Sequence, residues 1–225
     1  MSLKPLKVSE RKKNQQKLEL KMEKRHKELL DDIPPYMYII SEGTKTETNY
    51  ISGLTECINE KYKDLSSCKR IVVNGTGRNT RSLLIYARKQ VDIDHPQAEV
   101  VWLMYDKDDF PYDDFDNTQY SAESRKDSRQ YRVAWSNECI ELWFLLHFQE
   151  LTVNIGRVAY QEKLKEVCNY QKNLTNLYEI LQDKTELAIK RAKKQYEEYG
   201  DKPPSQRCPA TRVYELVEEL QKYIG

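Results

Sequence analysis

No apolar run in this sequence approaches the twenty or so residues that a membrane-spanning helix needs; the longest are short pieces such as Val100–Tyr105. A basic n-region followed by an apolar stretch is also missing at the start, so the expectation is a cytoplasmic protein without a secretory signal. Cysteines are few and unpaired in pattern. Cys57, Cys68, Cys139, Cys168 and Cys208 make no C-x-x-C and are odd in number, and no histidine stands at ligand spacing from them. That excludes a disulfide scaffold and a zinc site. Seven glycines and eight prolines in 225 residues exclude low complexity. An excess of one charge is lacking too: 37 basic and 36 acidic side chains leave a formal +1. A uniformly basic coat for nucleic acid is therefore excluded, and any such contact must come from local asymmetry.

What the chain does have is patterned. Residues 1–30 carry ten Lys/Arg against four Asp/Glu, which reads as a solvated basic helix or arm, with a nucleic-acid or partner contact as the alternative. Pro34 and Pro35 end it. Short apolar runs then alternate with helical stretches. Strands are expected at 36–41, 69–74, 99–105 and 131–136, with helices at about 47–61, through Leu83 to Val91, and at 117–128. Beyond Ser136 the pattern is helical: an apolar helix at 137–148, amphipathic helices over 157–200, and a last helix at 209–223. This predicts an α/β fold, a Rossmann-like parallel sheet of about four strands flanked by helices, with an α-helical C-terminal half. The expected organisation is a basic extension at 1–33, an α/β core at 34–150 and a helical elaboration at 151–225 packed on the same domain.

Chemistry in such folds sits beyond the carboxyl ends of the strands. Glu42 follows the first strand in Glu42-Gly43-Thr44-Lys45-Thr46-Glu47, and Asp106 and Asp108 follow the third in Asp106-Lys107-Asp108-Asp109. In an extended segment the Asp-x-Asp spacing aims both carboxylates the same way. If the first and third strands are neighbours, Glu42, Asp106 and Asp108 converge, and oxygen-only donors suit Mg²⁺ or Mn²⁺. The alternative is a solvated acidic loop, since 106–116 holds six aspartates. An EF-hand is excluded because the segment lacks the ligand at its fifth position and the glycine at its sixth. Gly75-Thr76-Gly77-Arg78 opens a helix, where backbone N–H groups and the Arg78 guanidinium could grip a phosphate; a plain strand-to-helix turn is the alternative. Glu141, one turn into an apolar helix, costs free energy unless paired or ligating. His147 on the same helix reads as a core histidine before a catalytic one. Sixteen tyrosines, mostly at helical spacing, read as packing before base stacking.

Glu-Gly after the first strand and Asp-x-Asp after the third resemble the Toprim signature shared by topoisomerases, bacterial primases and OLD-type nucleases. More closely, the chain resembles the RloB-like proteins, associated with restriction loci and abortive-infection phage defence. The stretches that carry this are Ile39-Ile40-Ser41-Glu42-Gly43-Thr44-Lys45-Thr46-Glu47, Gly75-Thr76-Gly77-Arg78-Asn79, Val101-Trp102-Leu103-Met104-Tyr105-Asp106-Lys107-Asp108-Asp109-Phe110, Ser136-Asn137-Glu138-Cys139-Ile140-Glu141-Leu142-Trp143-Phe144-Leu145-Leu146-His147-Phe148, and Pro209-Ala210-Thr211-Arg212-Val213. They lie in order from about 36 to 215, with Glu138 where the pattern favours proline. The resemblance implies a Mg²⁺- or Mn²⁺-dependent nuclease in which Glu42, Asp106 and Asp108 hold one ion and Glu47 helps hold a second. It further implies site roles for Glu141 and for Arg212 as a cation to the scissile phosphate, and nucleic acid plus an AAA/ABC-type, RloA-like ATPase as partners. Two other classes compete: a non-catalytic nucleic-acid or ATPase-binding module, and an Asp-x-Asp phosphatase or nucleotidyl-transfer enzyme. Haloacid-type phosphatases carry Asp-x-Asp-x-Thr after the first strand, not the third.

Overall fold

The computed structural model describes residues 8–108 and 112–224. Residues 1–34 and 35–225 form two separate units. In the first, α1 (Val8–Asp31) is one helix whose described side chains lie open to solvent, Leu18, Leu20, Met22 and Leu30 included. Lys24 and Glu28 pair one turn apart at 3.7 Å.

The second unit is built on β1 (Met37–Ser41), β2 (Ile71–Gly75), β3 (Val100–Asp106), β4 (Gln130–Asn137) and β5 (Ala210–Thr211), in the order β2-β1-β3-β4-β5. The first four run parallel and β5 is antiparallel to β4. β1 and β3 are neighbours, which meets the condition for their end residues to converge, with Ser41 opposite Met104. The chain places β2 and β3 on opposite sides of β1, so right-handed crossovers put α2 (Thr46–Lys61) and α3 (Thr80–Ile93) on opposite faces of the sheet.

Period-two alternation fills both faces. Tyr38, Ile40, Val101, Leu103, Tyr105, Val133 and Trp135 pack with Leu83, Ala87 and Val91 of α3 and with Phe115 and Ala122 of α4 (Tyr112–Glu123). Phe115 sits edge-on between Tyr105 and Trp135, with ring centroids 5.3 Å from each. The alternate residues Met37, Ile39, Trp102 and Met104 are buried on the other face, where α2 meets β2 and α9 (Val213–Gln221) meets β4.

Three differences from the sequence reading have physical reasons. α4 begins at Tyr112 rather than 117, because Phe115 is drawn wholly into the core and carries the acidic segment into the helix with it. The apolar stretch after β4 yields a helix only at α5 (Glu141–Leu146), since Asn137 is still paired in β4. A fifth strand replaces the start of the last helix. Ala210–Thr211 pairs with Asn137 and Ser136, and the Thr211 hydroxyl donates to the Trp135 carbonyl at 3.1 Å. Two residues are too short to leave a periodic trace. The helical half continues as α6 (Arg157–Cys168), α7 (Leu177–Leu181) and α8 (Thr185–Glu197), with α5 buried between α6 and α8. Among the described residues no helix is long and apolar enough to cross a membrane.

Candidate active site at the carboxyl rim

The ladder itself delivers Glu42. Its N–H donates to the Met104 carbonyl at 2.9 Å, prolonging the β1–β3 pairing by one residue. Its own carbonyl accepts from Gly77 N–H at 2.9 Å, and its carboxylate accepts from the Thr80 hydroxyl at 3.1 Å. Asp106 ends β3 with Oδ2 accepting from Ile140 N–H at 3.1 Å. Lys107 and Asp108 then donate their N–H groups to the Ser136 and Glu138 carbonyls. The ends of β1, β3 and β4 are thereby fastened to one another.

Glu47 enters from the first turn of α2, where the macrodipole favours an acid. Gly43 lets it fold back onto the end of β1: a Cβ at Gly43 would lie 1.9 Å from Glu47 Oε2. Glu141 is buried within α5, and its Oε1 accepts from Gln161 Nε2 at 2.8 Å and from the Tyr170 hydroxyl at 3.3 Å. Those neutral donors satisfy a carboxylate that an apolar helix would otherwise reject.

The electrostatics link these four acids. Burial pushes Glu42's carboxyl up to about 7 despite the Thr80 hydrogen bond, and the negative charge of Glu47 adds to the push. Glu47 is raised by burial and by Glu141. Asp106 is raised well above the ordinary carboxylate range by burial, then by Glu47 and Glu141. Ionising these rim acids therefore costs the folded chain more than it would cost exposed carboxylates.

Asp108 is not aligned with Asp106 in the way an extended Asp-x-Asp implies. The strand stops at Asp106, and Asp108 takes a left-handed conformation, φ +42°, which short polar side chains tolerate best. Its backbone is not extended, so period two no longer aligns it with Asp106. Its carboxylate forms an ion pair with Arg157, the first residue of α6.

The phosphate-gripping reading of the 75–78 turn is also corrected. Thr76 N–H is taken by the Ser41 carbonyl, Gly77 N–H by that of Glu42, and Arg78 N–H by the Thr76 hydroxyl. Gly75 is there for close approach, since a Cβ would lie 2.6 Å from the Gly43 carbonyl oxygen and from Thr44 Cα. Gly77 supplies a φ of +64°. The Arg78 guanidinium lies over the Tyr86 ring, 4.1 Å from its centroid. The turn therefore clamps the end of β1, and with it Glu42.

Arg212 is likewise held elsewhere, in ion pairs with Glu123 at 2.6 Å and Glu215 at 2.7 Å. His147 is buried between Tyr50 and Trp143, with burial lowering its pKa to about 4, so it is a neutral core residue. The tyrosines follow suit: Tyr38, Tyr50, Tyr62, Tyr105, Tyr160 and Tyr170 are all buried.

Sequence reasoning misses the cations. Arg157 lowers the pKa values of Glu42, Glu47 and Asp106, and Lys172 acts on Glu47. One signal exists: an arginine at the first position of a helix opposes the macrodipole and implies an anion in front of it.

Among the described residues, no three His, Cys, Asp or Glu side chains form a ready-made ligand set for one ion. The donor chemistry nevertheless fits a hard divalent cation. Glu42, Glu47, Asp106 and Glu141 are oxygen donors gathered at one rim against their own repulsion.

A stability test follows from the raised carboxyls. Near pH 4.5 Glu42 is largely protonated when folded and about half so when unfolded; as pH rises to about 7 the unfolded chain loses the proton first, so this site's contribution to stability falls across that window. Thermal unfolding in EDTA should show a loss of stability between roughly pH 5 and pH 8 that is shallower in Glu42→Gln. Equal slopes in the two proteins would refute it.

Among known families, residues 37–220 match the one described as RloB-like protein. No curated protein and no solved structure matches the chain.

Proposed function

Since the chain belongs to the RloB-like protein family, we propose that it is a Mg²⁺- or Mn²⁺-dependent nuclease of Toprim type, acting in the cytoplasm in anti-phage defence with a partner ATPase. The observation that carries this reading is the set of four carboxylates, linked electrostatically through Glu47, beyond the strand ends of a parallel sheet. Glu42, Glu47 and Asp106 would hold the cation, with Glu141 beside them. A bound divalent cation supplies charge stabilisation at the phosphate and favours an ionised attacking water.

The chain's own residues do the rest. Thr80 and Gly77 fix Glu42 from two sides, and Ile140 fixes Asp106, so neither carboxylate has to be ordered when a ligand arrives. Gln161 and Tyr170 donate to the Glu141 carboxylate and hold it in place inside an apolar helix. Arg157 and Lys172 offset the rim's repulsion towards phosphate. An Asp-x-Asp phosphatase fits less well, because Asp108 is tied to Arg157 and the pair follows the third strand, not the first. The ATPase enters because the sequence carries no nucleotide-hydrolysis motif of its own.

Labelled DNAs and RNAs, tRNA included, incubated with Mn²⁺ or Mg²⁺ test the reading. Cleavage by wild type and not by Glu42→Gln supports it, and cleavage only with a partner ATPase supports the accessory arrangement. No cleavage under any condition, with nucleic acid still bound, would favour a non-catalytic binding module.

A further inference from the structure

We propose that Arg157 is the rim's built-in counterion, competing with the divalent cation: it pairs with Asp108 until an ion binds, and then gives way. This rests on reading the rim as a metal site.

Arg157 is placed with care. Gly156 precedes it at φ +81°, and Gly156 N–H donates to Asn154 Oδ1 at 3.0 Å. The Tyr160 hydroxyl donates to the same oxygen at 3.0 Å, while Asn154 Nδ2 donates to Glu138 Oε2 at 3.3 Å. Glu138 in turn accepts the Asp108 N–H through its carbonyl. The turn that launches α6 is thus tied to the loop that fixes the end of β3, and the two halves of the Asp108–Arg157 pair are carried on one connected framework.

An arginine in a first helical turn opposes the helix dipole, so its position has to be offset by anions in front of it. Here they are four: Asp108 in direct contact, and Glu42, Glu47 and Asp106 within electrostatic reach. Arg157 Nε is buried with no hydrogen-bond partner, so the guanidinium fork is only partly used where it stands. A side chain held chiefly by charge, with donors to spare, is easily released when a stronger cation takes over the carboxylates. A divalent ion entering the same cluster repels the guanidinium and satisfies the acids that attracted it.

The experiment is a calorimetric titration of the full chain with MnCl2 at low ionic strength. Arg157→Gln should bind Mn²⁺ about tenfold more tightly than wild type, because a competing unit charge has gone. Arg157→Lys, which keeps the charge, should bind within about threefold of wild type. Lys172→Gln, which removes a cation beside Glu47 but leaves the Asp108 pair, should tighten binding less than Arg157→Gln. A melt in EDTA checks folding, and in a second melt with MnCl2 in place of the chelator Mn²⁺ should raise the Tm of Arg157→Gln more than that of wild type. If wild type binds Mn²⁺ and Arg157→Gln binds it equally or more weakly, the counterion role is wrong. An equal tightening by Lys172→Gln also overturns it, in favour of diffuse charge. If wild type binds no Mn²⁺, the metal reading fails along with it.

Discussion

Replacing Asp106 with asparagine should abolish tight Mn²⁺ binding and lower phosphodiester hydrolysis by about a thousandfold or more, while leaving the protein folded. Asp106 lies at the junction of the site. Its Oδ2 takes the Ile140 N–H, and it interacts with Glu47, Glu141 and Arg157. Asparagine retains an oxygen for the Ile140 N–H and nearly the same volume, so the loop after β4 keeps its anchor. What it removes is a negative charge that the folded chain bears at a cost, because burial and two neighbouring acids hold that carboxyl well above its ordinary pKa. The variant should therefore melt in EDTA at neutral pH at or above the temperature of wild type. Activity and melting temperature then move in opposite directions, as expected where charge was gathered for function against stability. Retained Mn²⁺ affinity, or a collapse of the fold, would show that Asp106 is only a structural acid.

The second large effect separates two glycines that look alike in sequence. Gly75→Ala should destabilise the protein by about 1–3 kcal/mol, a fall in Tm of roughly 2–12 °C for a chain of this size. The added methyl would meet the Gly43 carbonyl oxygen, Thr44 Cα and the Thr48 hydroxyl, all at 2.6 Å, and two of these are backbone atoms with little room to retreat. Gly43→Ala should act on function instead. The atoms nearest its methyl would be those of the Glu47 carboxylate, the far end of a flexible side chain, which can swing aside at small cost. Glu47 would then leave the rim, and metal affinity and hydrolysis should fall at least tenfold with the Tm nearly unchanged. Melting curves and Mn²⁺ titrations of the two variants check this. The reverse pattern, with Gly43→Ala unstable and Gly75→Ala inactive but stable, would contradict the packing described.

The part of the site carried by strand ends is legible in the amino-acid pattern alone. Short apolar runs separated by helices specify parallel neighbours, and the first charged residue after each run must lie at the rim. That logic locates Glu42 and Asp106. It fails one step later, at Asp108, because a single residue in a left-handed conformation leaves no trace in hydrophobic periodicity. It also misreads 75–78, where the N–H groups of Thr76 and Gly77 are spent on the carbonyls of Ser41 and Glu42, partners more than thirty residues distant in the chain. The C-terminal helices read as an elaboration, yet Arg157, Gln161, Tyr170 and Lys172 all act on the rim acids. Nothing local to residues 157–172 could reveal that, since the contacts depend on how α5 is buried against α6. Glu141 sits between the two cases: its cost in an apolar helix demands partners, and only the fold can name them.

The central claim is that the rim acids are there to hold a divalent cation. The most direct measurement is an anomalous difference map from crystals of the full chain soaked in MnCl2. The account predicts a manganese peak bonded to carboxylate oxygens of Glu42 and Asp106, with Glu47 turned towards it. A clean map at the rim at saturating Mn²⁺, or a peak held elsewhere while Glu42 and Asp106 keep only their bonds to Thr80 and Ile140, would contradict it.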